Sequence, residues 1–465
     1  MLSRLAAATL AIICATAAVQ PRQNAAQVVL QPCPGSRVSE ECGALSVFED
    51  RAAGRGRKID IHFVVARANA SPARQAVFLF AGGPGEGSAD MAGGAAGWLS
   101  SLRATLDLVF VDQRGTGQSH PLSCPSLAET DPAAIFGHVF NPAVVARCRE
   151  TLGRDADLTK YTTDLAVADV DDVRTALGYE RISLYGVSYG TRMAQEYLKR
   201  FPSRVRSVVL DGVVPFDVAI PVTYAASAQQ SLERVFAACA ATPSCRSAYP
   251  HPAADFERVL HRFDRGSVQV RVNSNGAGGP TVSMSRGDFG YAVRGLLYNN
   301  VTSRLAGMLA RAADSGDLGE FATAYWLRAR SIDRAVADGL HLSVFCAEDV
   351  PFATDREIAA ATTGTFLGRY LFDEYRAACR GWPRAPLAAD ARTPVVSPRP
   401  TLLLSGAFDP VTPPAFGDRV ARSLSMSLKI VSPLDAHGAA FGCAMPAVLY
   451  VLGRGTIVGA PAVCQ

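Results

Sequence analysis

A chain of 465 residues is too long for one minimal domain and short for three, so one large domain with a sizeable insertion, or two domains, is the natural prior. Hydrophobic residues make up 49%, enough for a full core, and this excludes global disorder. The formal net charge is only +4, from 46 basic and 42 acidic side chains, and no basic run with interleaved aromatics occurs; nucleic acid is not expected as a partner.

Residues 1–18 read as an export signal. Arg4 supplies a positive n-region, Leu5 to Val19 form a short apolar stretch, and Ala15-Thr16-Ala17 is a small-residue cleavage pattern. The run is short for a bilayer, and no other segment has transmembrane character, so no stable span is expected after cleavage. An uncleaved anchor is the competing reading; lipid attachment at Cys14 is disfavoured by Ile12-Ile13 before it. The ten cysteines after Cys14 fall as neighbouring couples: Cys33 with Cys42, Cys124 with Cys148, Cys239 with Cys245, Cys346 with Cys379, Cys443 with Cys464. Ten cysteines permit about 945 pairings, but short loops are the easiest to close and an oxidising compartment preserves them. No C-x-x-C pair is present, which argues against a zinc site. The expected location is the periplasm or the extracellular space.

Along the chain, four apolar runs each precede a turn. They are Ala76 to Phe80 before Gly82-Gly83-Pro84-Gly85, Leu108 to Val111 before Asp112-Gln113-Arg114-Gly115, Arg181 to Tyr185 before Gly186, and Val208 to Leu210 before Asp211-Gly212. Such runs suit strands buried on both faces. Between them, Val167 to Leu177 and Thr191 to Phe201 carry helical patterns, the second halted by Pro202. Alternation of this kind implies an α/β fold with a mostly parallel sheet. From about Phe216 the character turns helical: Ala225 to Cys239, Asp255 to Phe263, Val301 to Ala313 and Glu357 to Arg369, with an exposed loop at 273–279 between two short strands. Strands return at Thr401 to Leu404 and Leu428 to Val431. The expected organisation is a sheet core at 25–215 and 396–465, interrupted by a helical cap insertion at 216–395.

Gly186-Val187-Ser188-Tyr189-Gly190 is a G-x-S-x-G elbow between a strand and a helix, the setting that a strained nucleophilic serine requires. The Gly82 turn follows an early strand, where backbone N–H groups of Gly83 and of Tyr189 can cradle an oxyanion; Pro84 has no N–H to give. Of seven histidines, His437 lies in Asp435-Ala436-His437-Gly438 just after the last strand, the slot for the base in the chain order serine, acid, histidine. His62, His120, His138, His251, His261 and His341 lack that setting. Asp409, after Thr401 to Leu404, is the expected acid, with Asp211 its rival and Asp435 too close to His437 on the same loop. Asp112 and Arg114 read as a structural ion pair holding the loop near the oxyanion turn.

The Gly82 turn, Asp112-x-Arg114-Gly115-x-Gly117-x-Ser119, the Ser188 elbow, Leu210-Asp211-Gly212 and Asp409-Pro410-Val411-Thr412-Pro413 together resemble the proline iminopeptidase and tripeptidyl aminopeptidase branch of the α/β-hydrolases. The likeness covers most of the chain, strongly in the sheet portions and weakly in the insertion. Ala81 stands where proline iminopeptidases have histidine, and Glu86-Gly87 precedes Ser88; both departures favour the tripeptidyl type. The resemblance implies an α/β-hydrolase fold and a serine exopeptidase acting on peptides with a free N-terminus. It implies no metal or organic cofactor, and a cap carboxylate for the substrate ammonium, with Glu348 and Asp349 the candidates. A carboxylesterase or lipase with the same triad is the alternative, and a non-catalytic binding protein on this scaffold the alternative of another class.

Overall fold

A computed structural model describes residues 28–34, 40–70, 75–124, 132–274 and 277–464. The export signal, Cys14 and the tip of the 273–279 loop lie outside the described residues.

Nine strands form one sheet: β1 (Gln31–Pro32), β2 (Glu40–Phe48), β3 (Lys58–Ala66), β4 (Ala76–Phe80), β5 (Asp107–Val111), β6 (Ile182–Val187), β7 (Val205–Asp211), then β10 (Thr401–Gly406) and β11 (Ser427–Ser432). The hairpin β8 (Val268–Ser274) and β9 (Ala277–Met284) stands apart in the insertion. In the order β1-β2-β3-β5-β4-β6-β7-β10-β11, the sheet is antiparallel as far as β5 and parallel beyond it. This is the α/β-hydrolase arrangement. Strands β4 and β5 are buried throughout and β7 at every residue but Arg206, so both faces are covered, which explains their apolar runs. The antiparallel strands β2 and β3 were absent from the predicted elements, although Ile59, Ile61, Phe63 and Val65 alternate inward along β3.

Between β7 and β10 the chain leaves the sheet. The insertion has a core of its own, where Phe256, Phe289 and Phe321 pack with Val259, Leu305 and Trp326. Its last third behaves differently: Leu340, Leu342, Val344 and Cys346 of the helix Asp338–Glu348 join the sheet core with Trp382 and Val395. The helix expected at Glu357 to Arg369 stops at Thr362; Gly364 and Gly368 then adopt positive φ, and the next helix, Tyr370–Ala378, begins beyond the expected range. All five neighbouring cysteine couples are bonded as pairs. No helix of the described residues is long and apolar enough to cross a membrane.

Candidate active site

Because β4, β6, β7, β10 and β11 run parallel, their carboxyl ends share one edge of the sheet, and the loops leaving them meet there. Ser188 sits in the turn between β6 and the helix Gly190–Arg200 with φ +55°, a left-handed conformation that is costly for a residue with a Cβ. The flanking glycines make room for it. A Cβ on Gly186 would lie 2.2 Å from the Gly190 carbonyl oxygen, and one on Gly190 would lie 2.2 Å from that of Phe80. Thr191 accepts a bond from the Val214 N–H and donates one to the Ser188 carbonyl (2.6 Å), pinning the elbow from behind.

His437 and Asp409 come from two further loops. The imidazole Nδ1 lies 2.9 Å from Asp409 Oδ2, and since that carboxylate only accepts, Nδ1 carries the proton. Asp409 also accepts from the Thr412 hydroxyl and from the N–H groups of Val411 and Thr412. Burial alone would lift its pKa; the imidazole and these donors hold it below the usual carboxylate range. Burial pulls His437 down, but Asp409 outweighs it and the pKa is raised to about 9. Gly212 packs beneath the imidazole ring, where a Cβ would come within 3.4 Å of Cε1.

Asp211 has another task. Its oxygens accept from the N–H groups of Ala439 and Ala440 and from the Tyr185 hydroxyl, so it shapes the turn that follows His437. Asp435 accepts from the Ser432 hydroxyl (2.6 Å). Asp112 and Arg114 do not form the ion pair expected of them. Arg114 is fully buried against Asp169 in a two-pronged contact, whereas Asp112 lies 3.2 Å from His62 and accepts from the N–H groups of Ala89 and Gln118. Both tie loops together, but each to a separate neighbour.

Ser188, His437, Gly83 and Tyr189 line one cleft of about 260 Å³. Among the described residues, the backbone N–H groups of Gly83 and Tyr189 have no hydrogen-bond partner in the protein. The Gly82 turn is held from the insertion: the Ala337 N–H donates to the Gly85 carbonyl and Glu86 bridges to Val336. His341 Nδ1 is 2.8 Å from the Pro84 carbonyl and its Nε2 is 2.9 Å from the Tyr375 hydroxyl. Burial lowers its pKa to about 4, so it is neutral, donating from Nδ1 to Pro84 and accepting from Tyr375. Sequence patterns gave His341 no role, since a buried histidine that braces a distant turn leaves no local motif.

The two carboxylates expected to bind substrate have other partners. Asp349 lines the cleft, but both its oxygens are taken by Arg192 and one also by the Ile220 N–H. Glu348 accepts from the N–H and hydroxyl of Thr163 and is absent from the cleft lining; burial raises its pKa to about 7. Glu86 also lines the cleft, and its carboxylate forms no ion pair among the described residues. Measured from the place a Cβ on Gly82 would occupy, Glu86 Oε2 and Ser188 Cβ each lie 3.2 Å away, so acid and nucleophile share a corner. Enclosure by protein raises the Glu86 pKa, while the Gly82 N–H, His437 and Arg328 oppose the rise. The cleft is also lined by Tyr298, whose ring centroid is 5.2 Å from that of His437, and by Arg294 and Arg328.

A family model described as the alpha/beta hydrolase fold matches residues 75–294, and one described as TAP-like protein matches residues 365–464. The chain is 27% identical over 377 residues to the serine protease Hip1 of Mycobacterium tuberculosis, covering 75% of this chain and 72% of that protein. It is 30% identical over 190 residues to the tripeptidyl aminopeptidase of Streptomyces lividans, covering 37% of this chain and only 35% of that enzyme. Carboxylesterase B of Mycobacterium tuberculosis is 28% identical over 427 residues, covering 82% of this chain and 78% of the relative. With this sheet and these relatives, the chain has the α/β-hydrolase fold and is a serine hydrolase.

Proposed function

We propose that the protein is an exported aminopeptidase that cleaves an amide bond near a free N-terminus through an acyl-enzyme on Ser188. His437 Nε2 takes the serine proton during attack and returns it to the departing amine. Asp409 orients the imidazole and stabilises its charged form. The N–H groups of Gly83 and Tyr189 receive the oxyanion, and water then releases the acyl group from Ser188. The five disulfides support export, because such bonds persist in oxidising compartments.

The observation that carries the exopeptidase reading is Glu86, an accessible carboxylate in the same corner as the nucleophile. It takes the place that sequence reasoning gave to Glu348 and Asp349, because an ammonium group needs an anion whose charge is not already matched. The test compares aminoacyl and tripeptidyl anilides carrying free and acetylated N-termini. Free substrates are expected to be preferred by roughly a hundredfold, the cost of leaving a charged partner unmatched in an enclosed site. Equal turnover of both sets removes the exopeptidase reading. The match to a carboxylesterase keeps an ester-cleaving reading in view, and short-chain nitrophenyl esters in the same assay separate the two.

A further inference from the structure

Four arginines illustrate how guanidinium groups are treated in this molecule. Arg114 and Arg192 are buried and paired: each meets a carboxylate with two nitrogens and donates to two backbone carbonyls besides, although Arg192 Nε has no partner. Arg294 is only 4% exposed and has no such company. Its Nη2 donates to the Tyr298 hydroxyl at 3.1 Å and its Nε is buried without a partner. Its guanidinium carbon lies 4.2 Å from the ring centre of Tyr224 and 5.3 Å from that of Tyr298. Arg328 is half-buried and also lies over the Tyr298 ring, at 4.1 Å. No carboxylate lies within ion-pair distance of either arginine among the described residues.

Aromatic faces recover only part of what a buried charge loses on leaving water. Two guanidinium groups are therefore held on one tyrosine of the cleft wall with their charge unmatched. Tyr298 registers the local potential: burial would raise its phenol, yet the two arginines bring it below its ordinary value.

We propose that Arg294 and Arg328 form a carboxylate-binding subsite, so that the enzyme prefers substrates bearing a negative charge close to the bond that is cleaved. This rests on the reading of Ser188 and His437 as the reacting pair. Tyr298 lies between both arginines and His437, and its ring is 5.2 Å from the imidazole, so the bound charge belongs to a residue next to the scissile bond or one further along. Glu86 and Arg328 face the same cleft without forming an ion pair, an arrangement suited to a substrate with an ammonium at one end and a carboxylate at the other. The carboxylate has two possible sources, the free C-terminus of a very short peptide or the side chain of an aspartate or glutamate.

Three substrate pairs differing in one charge separate these sources. Alanyl-alanine against its C-terminal amide reports a terminal carboxylate. Glutamyl against glutaminyl nitroanilide reports a side chain. Mono-4-nitrophenyl succinate against its methyl ester reports charge recognition on an activated ester, which an esterase also cleaves. The charged member of at least one pair should win in kcat/KM by on the order of 10- to 100-fold. Arg294→Gln and Arg328→Gln should each pull that ratio towards one. If Arg294→Gln fails to fold, Arg328→Gln, whose side chain is less enclosed, carries the test alone. Absence of a charge preference in all three pairs overturns the subsite, as does a preference that survives in every folded variant. Inert peptides with a charge preference kept in the ester pair would remove the peptidase reading and leave the subsite standing.

Discussion

On the sheet side of the cleft each acid has its donors. Asp409 accepts four hydrogen bonds and Asp211 three, and the elbow beneath Ser188 is fixed by backbone contacts and glycines. On the insertion side, Arg294 and Arg328 rest on tyrosine rings, and Glu86 faces them from the oxyanion turn without a matching cation. The first arrangement suits groups that must not rearrange as charge develops during acyl transfer. The second suits groups whose partners arrive with the substrate. Polar groups left unmatched in a folded protein therefore point to what the protein recognises, and saturated ones to what it holds still.

Loss of the serine hydroxyl should have the largest effect. Ser188→Ala is expected to lower kcat by about four to six orders of magnitude while the melting temperature stays near that of the native chain. Turnover within a few-fold of normal in that variant would remove the serine mechanism. Next in size, Asp409→Asn should cost about 10³–10⁴ in kcat, because the amide cannot hold the imidazole tautomer in place. Asp435→Asn should stay within roughly threefold, since its side chain bonds Ser432 and does not reach the histidine. A reversed ranking transfers the acid role.

Glu86→Gln sharpens the substrate side. A loss of about 10- to 100-fold in kcat/KM is expected for free-amine substrates and much less for acetylated ones. Glu348→Gln, against Thr163, should leave their ratio intact. If Glu348→Gln erases the preference and Glu86→Gln does not, the amine anchor lies behind Tyr189. The smallest effect is a displacement of the pH profile. Asp409 raises His437 to about 9, so the free base is lost as pH falls through that value, and the acid limb of kcat/KM should lie well above 6.5. The ion pair's contribution to stability runs in the opposite sense: fully present below about 6.5, it disappears as pH rises through about 9. An acid limb at or below 6.5 would show that the carboxylate does not couple to the histidine in this way.

The triad loops were legible because each follows a buried parallel strand, and strand, turn and reactive residue are contiguous in sequence. Gly186 and Gly190 could be read directly, since the elbow's crowding permits no side chain at either position. Neighbouring cysteines could be paired for a similar local reason. Glu86 lay in plain view as a departure from a pattern, but its role depends on which carboxylates are already occupied, and that is settled by partners such as Arg192 and Thr163 far along the chain. Arg294 sits in an amphipathic helix where one more buried position carries no signal; its tyrosine neighbours come from elements before and after it. The helix Asp338–Glu348 was assigned to the cap by chain position, whereas its apolar face belongs to the sheet core.

The bracing of the oxyanion turn has a consequence for biosynthesis. Pro84 is held by His341, 257 residues later, and Gly85 by Ala337, while the histidine base arrives only with the final tenth of the chain. A polypeptide that has emerged from the ribosome as far as β7 carries its nucleophile but neither the clamp on its oxyanion pocket nor its base. Hydrolytic power therefore requires the whole chain: it appears only when synthesis and folding are finished.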